Sequence, residues 1–516
     1  MKTFITKSIC SAALLAGALL VSCNKQSLSD LNINPNSTPN AEPAYLFTGA
    51  IVALPAFNYS VLGQGMQYYS TYKEVPAIGD KYYSFTGTIA DFTGFYTNKL
   101  NRLLSIEPQV QGADDVNKLS MVRILKVYVY SQLTDIAGDI PYSEALAGKT
   151  NLTPKYDTQR DIYLDMFKEL EQATAALDAA KASFSNADLL YKGDVAKWQK
   201  FGYSLMLRLG MRLTKVDETL AKTWVEKAIN GGVMTSLSDA AKITYTEASG
   251  SQNPTSVDLR NGNYISAGGD NVEGGKFAAT FINHLKSTRD PRLKVISVVW
   301  VPTAPGATTY VADTTAATQR GMVSGSLNTK PTDFDTYSEP SPLLLNLAAP
   351  MVLFGPSEVK LLQAEAALRG WAAGTTAEAA YADAVSLGMK QWGLYPAVAP
   401  STNTITDAQI ADYLAVNPYP TSGSFDAQLG AISVQKWLTL FGNDYEIYAN
   451  WRRTGYPVLA QVNYPGNVTG GNMFRRFSLP ISESLTNQAN YEAALSRQGF
   501  AKLNEDNLLT RVWWDK

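Results

Sequence analysis

Two cysteines and one histidine are all that 516 residues offer of the side chains most used for soft-metal ligation and near-neutral acid–base work. One imidazole cannot build a His-rich zinc site, and a Ser-His-Asp triad would have to assemble around His284 alone. His284 lies between Phe281 and Leu285, ahead of Arg289-Asp290-Pro291, which reads as a helix end, so a structural role is expected. Charge of one sign is equally scarce: 44 basic against 46 acidic residues leave −2, which argues against a nucleic-acid partner. With 45% hydrophobic and 17% charged residues, the composition of a disordered chain is absent too.

The two cysteines sit where they add little thiol chemistry. Lys2 and Lys7 form a positive n-region and Ile9 to Val21 an apolar stretch, the layout of a secretory signal. That stretch is shorter than the ~20 apolar residues of a membrane span and ends at Asn24-Lys25-Gln26. Leu20-Val21-Ser22-Cys23 resembles the bacterial lipobox, so residues 1–22 are expected to be removed and Cys23 to carry lipid, including palmitate-type acyl chains. Cys10 then leaves with the signal, and the mature chain has no disulfide, thiol nucleophile or thiolate metal site. A core of this size needs no such staple. Residues 23–43 are polar and turn-rich, a lipidated tether before one domain spanning 44–516. Asp30 to Asn36 resembles the start of a calcium loop, but Pro35 stands where Gly is needed and no Glu closes it.

What the chain has is helical periodicity and aromatic surplus. Val116, Leu119, Val122, Leu125, Val129 and Leu133 mark one face of a helix over 114–136. Thr158 starts another with Ile162, Met166, Leu170 and Leu177, and Asp194 one with Trp198, Phe201, Leu205 and Leu209. Further helices are expected around Leu220 to Ala228, from Pro356 to Gly370, through Tyr381 to Trp392, and as one last long helix over about 428–453. Long helices joined by short turns predict a mainly α fold of tetratricopeptide-like stacked hairpins, without a strict 34-residue repeat. Between them lie loop-rich regions at about 57–95 and 240–350, with Val295 to Val301 as the one strongly β-leaning run.

A series of motifs follows the lipobox in order: Asp30 to Asn36, Leu133-Thr134-Asp135-Ile136-Ala137-Gly138-Asp139-Ile140-Pro141-Tyr142, Tyr156-Asp157-Thr158-Gln159, Trp198 to Phe201, Leu207 to Leu213, Asp290-Pro291-Arg292-Leu293, Ala364 to Gly370 and Asn450-Trp451-Arg452-Arg453-Thr454-Gly455. By these motifs and their order the chain resembles the SusD/RagB family of outer-membrane nutrient-binding lipoproteins, especially its SusD-like subgroup. The resemblance implies helical hairpins packed against an irregular half that holds the ligand. It also implies a SusC-like TonB-dependent transporter as partner, an oligosaccharide or peptide as ligand, no cofactor, and no enzymatic activity.

Twenty-eight Tyr and nine Trp suit non-covalent capture, because sugar rings present apolar C–H faces that flat aromatic rings match. Candidates in the first loop-rich region are Tyr68, Tyr69, Tyr72, Tyr82, Tyr83 and Phe85; in the second, Trp300, Tyr310 and Tyr337. Of these, Tyr82, Tyr83, Trp300, Tyr310 and Tyr337 are the expected ligand-binding set. Most other aromatics should be core, Trp198, Trp224, Trp392 and Trp451 among them. Gly269 to Phe277 is not a phosphate loop, since Phe277 replaces the Ser or Thr that would hold magnesium. Two other functions compete: a helical-repeat scaffold that binds only another protein, and a glycoside hydrolase with two opposed carboxylates. Glu365 is expected to serve a neighbouring helix as an ion-pair partner.

Overall fold

Three- and four-residue apolar spacing folds the chain into helices that bury against one another. In the computed structural model, residues 41–55, 59–73, 79–81, 92–262, 264–269, 275–399, 402–500 and 508–516 are described. Pro43–Lys516 forms one compact unit; the other, Met1–Glu42, lies almost wholly outside the described residues, as do Cys10, Cys23 and the 30–36 motif. The longer helices are α1 (Pro43–Val52), α2 (Val116–Ala137), α3 (Gln159–Ala176), α4 (Val195–Arg212), α5 (Glu218–Gly231), α6 (Ala279–Ser287), α7 (Pro356–Leu368), α8 (Ala377–Lys390), α9 (Asp407–Val416), α10 (Phe425–Thr439), α11 (Asp444–Thr454) and α12 (Gln488–Arg497).

Four pairs, α2/α3, α4/α5, α7/α8 and α10/α11, form hairpins that stack in sequence, bearing out the mainly α, tetratricopeptide-like expectation. Caps set several of their starts. The Thr158 hydroxyl accepts the Asp161 N–H at 3.2 Å, and the Asp194 carboxylate accepts that of Lys197 at 3.1 Å. Helices α2 and α7 are buried on nearly every face, whereas α5 buries only Ala221, Val225 and Ala228. The first two are inner helices and α5 an outer one.

The inner helices carry a buried ionic spine. Arg208 on α4 pairs with Glu358 on α7 through two bonds of 2.9 and 2.6 Å. Arg212, one turn on, reaches Glu446 of α11 at 2.5 Å and Asp135 of α2 at 3.2 Å. Arg453 of α11 grips Glu365 of α7, the interhelical role expected for that glutamate. The 133–142, 207–213, 364–370 and 450–455 motifs thus meet in the core, where each ion needs a counter-ion because burial without one is costly.

Two expectations are corrected. The helix expected over 428–453 is broken into α10 and α11, because Gly442 turns at φ +85° and the Asn443 amide donates to the Leu353 carbonyl at 2.9 Å. The chain folds back there, and α12 follows as a later long helix. The β-leaning 295–301 run is a strand from Ser297 on, but its first two residues close a helical turn, Leu293–Ile296, in which the Arg292 carbonyl accepts the N–H groups of Val295 and Ile296.

Short strands complete the irregular half: β1 (Tyr69–Thr71), β2 (Ile140–Pro141), β3 (Tyr156–Asp157), β4 (Ala241–Ile243), β5 (Gly275–Phe277), β6 (Ser297–Pro302), β7 (Tyr310–Asp313), β8 (Glu339–Pro340) and β9 (Met351–Phe354). They pair antiparallel as β1-β5, β2-β3 and β4-β9, with β7-β6-β8 as a three-stranded sheet.

Candidate functional site

The two loop-rich regions are sewn together. Strand β1 from the first pairs with β5 from the second, Ser70 opposite Lys276. The buried Asp80 carboxylate accepts from the Ser70 hydroxyl at 2.7 Å and from the Gly325 N–H at 3.3 Å. Beside it, Lys81 Nζ donates to the carbonyls of Thr71 and Ser326 at 2.8 and 2.9 Å. Tyr72 meets Phe334 edge-on at 5.1 Å, and Tyr337 packs on that small cluster with Met322.

The β7-β6-β8 sheet collects the aromatics of the second region. Trp300 stands opposite Ala312 and Pro302 opposite Tyr310, so strand alternation puts Trp300 and Tyr310 on one face. Glu339 of β8, opposite Val298, shares it. The Trp300 indole is held from behind: its Nε1–H donates to Ser266 Oγ at 2.8 Å. Ser266 in turn donates through N–H and hydroxyl to Glu339 Oε1, at 2.8 and 2.9 Å. Lys276 Nζ donates to Glu339 Oε2 at 3.2 Å. Lys276 and Glu339 are both buried; burial lowers the Lys276 pKa and Glu339 opposes the shift.

Tyr337 precedes β8 by two residues. The Arg320 guanidinium lies 4.3 Å from the centre of its ring, and Nη2 donates to its hydroxyl at 3.0 Å. Arg320 also donates to Asp333 at 2.5 Å. Trp300, Tyr310, Tyr337 and Asp333 are each half-buried, and Arg320 is exposed. The face therefore offers ring surface beside charged donors and acceptors, a combination suited to C–H faces and hydroxyl rims.

Tyr82, Tyr83 and Phe85 lie outside the described residues. Tyr68, Tyr69 and Tyr72 leave the candidate set, being at most 8% exposed. Tyr68 stacks on Trp437 and donates to its carbonyl at 2.6 Å, while Tyr69 stacks on Phe277. Trp198 and Trp392 are buried, and Trp224 and Trp451 are half-buried against the core. Ser266, Glu339, Arg320 and Asp333 escaped sequence reasoning, because nothing local ties Arg320 to a tyrosine seventeen residues on or Ser266 to Trp300.

The one histidine and the buried carboxylates are engaged within the chain. Burial lowers the His284 pKa, Asp290 opposing, and the ring lies edge-on to Trp437. Buried Asp135, Asp290, Glu339, Glu358, Glu365 and Glu446 each face a cation of the chain. Among the described residues no group of His, Cys, Asp and Glu could hold a metal ion.

Residues 35–480 match the SusD-like family described as starch-binding and associating with the outer membrane. A solved chitin-binding protein is 30% identical, with a TM-score of 0.77, across 92% of this chain and 100% of its own. A chitin-binding SusD homolog from Flavobacterium johnsoniae is 25% identical, with a TM-score of 0.73, covering 92% and 98%. A SusD homolog from Bacteroides uniformis is 26% identical, with a TM-score of 0.71, covering 92% and 100%. No curated protein sequence matches the chain.

Proposed function

Since the chain belongs to the SusD-like family, whose members are associated with the outer membrane, we propose that it captures an oligosaccharide at the cell surface and passes it to a SusC-like TonB-dependent transporter. The observation that carries this reading is the Trp300 indole, half-buried and braced through Ser266 by the buried Glu339–Lys276 pair. A ring locked before the ligand arrives loses little conformational entropy on binding. Tyr310 extends the same face, and Tyr337 adds a ring whose neighbours Arg320 and Asp333 can exchange hydrogen bonds with hydroxyls. The chitin-binding relatives make oligomers of N-acetylglucosamine the first ligands to test.

In this reading residues 1–22 are removed, Cys23 carries the lipid, 23–43 form the tether and 44–516 the binding domain. No helix among the described residues is long and apolar enough to cross a membrane, and lipid on Cys23 supplies the attachment. The protein binds and releases without a chemical step. Tyr82 and Tyr83, which lie outside the described residues, belong to the proposed binding set on the sequence pattern alone.

Isothermal titration with chitohexaose, maltohexaose and a tryptic peptide mixture tests the proposal. Binding of a glycan, weakened at least tenfold by Trp300→Ala and by Tyr310→Ala, is expected. Binding of peptides alone, or glycan affinity untouched by both substitutions, would overturn it.

A further inference from the structure

At the far end of β7 from Tyr310, a cleft of about 700 Å³ opens between the turn after α6, the segment following β7, and α9. Four residue steps along the strand separate Tyr310 from Thr314 on its wall, roughly 13 Å at 3.3 Å per residue. Neither Trp300, Tyr310 nor Tyr337 lines it. Its volume falls within the ~300–1,000 Å³ of small-ligand sites.

Three cations line this cleft: Lys286, Arg289 and Lys294. Two acids join them, but the buried Asp290 is already satisfied by Arg292, at 2.6 Å, and only the exposed Asp412 is uncommitted. Lys286 donates to the Gln319 carbonyl, which leaves its charge uncompensated. The side chains of Arg289 and Lys294 have no hydrogen-bond or ion-pair partner among the described residues. A positive cleft in a chain of net charge −2 is a local feature, not a consequence of composition.

Arg289 adds an independent observation. Its backbone stands at φ +52°, where α6 ends with the Asp290 N–H donating back to the Leu285 carbonyl at 2.8 Å. Glycine is the usual residue at such a position, and a side chain there carries a conformational cost. An arginine that accepts this cost without a partner among the described residues, on the wall of a cleft, is available to a ligand. A cation near the α6 C-terminus also favours the helix dipole, but that explains neither the cleft nor Lys294. The wall is fixed, since the Asn417 amide at the end of α9 donates to the Thr288 carbonyl at 2.9 Å.

We propose that this cleft is a second ligand site, which takes an oligosaccharide bearing carboxylate or sulfate groups. Arg289 and Lys294 hold the oxyanion, a guanidinium pairing readily with two oxygens at once, and Leu293 and Val416 face the ring. The site is separate from the aromatic face and does not depend on it.

The test is calorimetric titration of the full chain with trigalacturonate, a sulfated trisaccharide, maltotriose and hexaglutamate. At least one acidic trisaccharide is expected to bind, the two arms separating carboxylate from sulfate. Arg289→Gly combined with Lys294→Gln should weaken that binding at least tenfold, as should raised salt, whereas Trp300→Ala should leave it unchanged. Arg289→Gly alone should fold with an equal or higher Tm, since glycine suits the backbone there, so lost binding cannot be ascribed to lost structure. Failure of both acidic sugars to bind, equal binding of maltotriose, binding of hexaglutamate alone, indifference to the double variant, or abolition by Trp300→Ala would each overturn the proposal.

Discussion

Arg453 donates from both terminal nitrogens to the two carboxylate oxygens of Glu365, at 2.6 Å each, and both side chains are buried. The pair ties α11 to α7, and Arg369 shares the same carboxylate at 2.9 Å. Removing Arg453 takes two hydrogen bonds from this buried carboxylate and leaves it to Arg369 alone, so Arg453→Ala should cost about 3 kcal/mol. Replacing the pair together, Arg453→Met with Glu365→Leu, should recover most of it. Urea unfolding of the three chains measures both numbers.

The same carboxylate sets a pH dependence. Burial pushes the Glu365 carboxyl up, but Arg453 and Arg369 outweigh it and hold the group at about 2, against an ordinary 4.5. The unfolded chain therefore takes up this proton at higher pH than the folded one. The contribution is complete above about pH 4.5 and is lost as pH falls towards about 2. Tm followed across that window should fall less steeply in Glu365→Gln than in the native chain.

Gly321 sits between Arg320 of the aromatic face and Met322 beneath it. A Cβ there would meet the Ala278 carbonyl oxygen at 2.4 Å and Ala279 Cα at 2.5 Å, backbone atoms that cannot swing aside. Gly321→Ala should cost about 1–3 kcal/mol and displace Arg320, lowering glycan affinity as well. Gly393, where an added Cβ would meet nothing within 4 Å, is the control. Gly393→Ala should change stability by less than about 0.5 kcal/mol and leave binding intact.

Attachment to the membrane should depend on one residue, Cys23. Each buried methylene of an acyl chain contributes about 0.8 kcal/mol, so several chains hold the protein essentially permanently. Cys23→Ala should move it from the membrane fraction to the soluble one on cell fractionation. Retention in equal amount would rule the anchor out.

Helices with apolar stripes, among them α2 to α5, were legible because their periodicity is local. So were the caps at Thr158 and Asp194. Asn253-Pro254 carries a local start signal of the same kind inside the second loop-rich region, where Asn253 accepts the Thr255 N–H at 2.8 Å and opens the short Pro254–Arg260 helix. The break at Gly442 was hidden because α10 and α11 each continue an apolar pattern, and only the fold-back against Leu353 separates them.

Taken alone, the sequence determined the scarcity of thiol and imidazole chemistry, the helical hairpin architecture, and the surplus of aromatic rings, all matters of composition and short-range spacing. The tertiary structure decided which rings are walls and which are surface. Tyr68 and Trp300 look alike in sequence, each an aromatic residue in a loop-rich stretch. One is enclosed by Trp437, Phe281 and Phe441, the other braced at a half-buried face by Ser266. Burial depends on partners hundreds of residues away, and no local pattern records them.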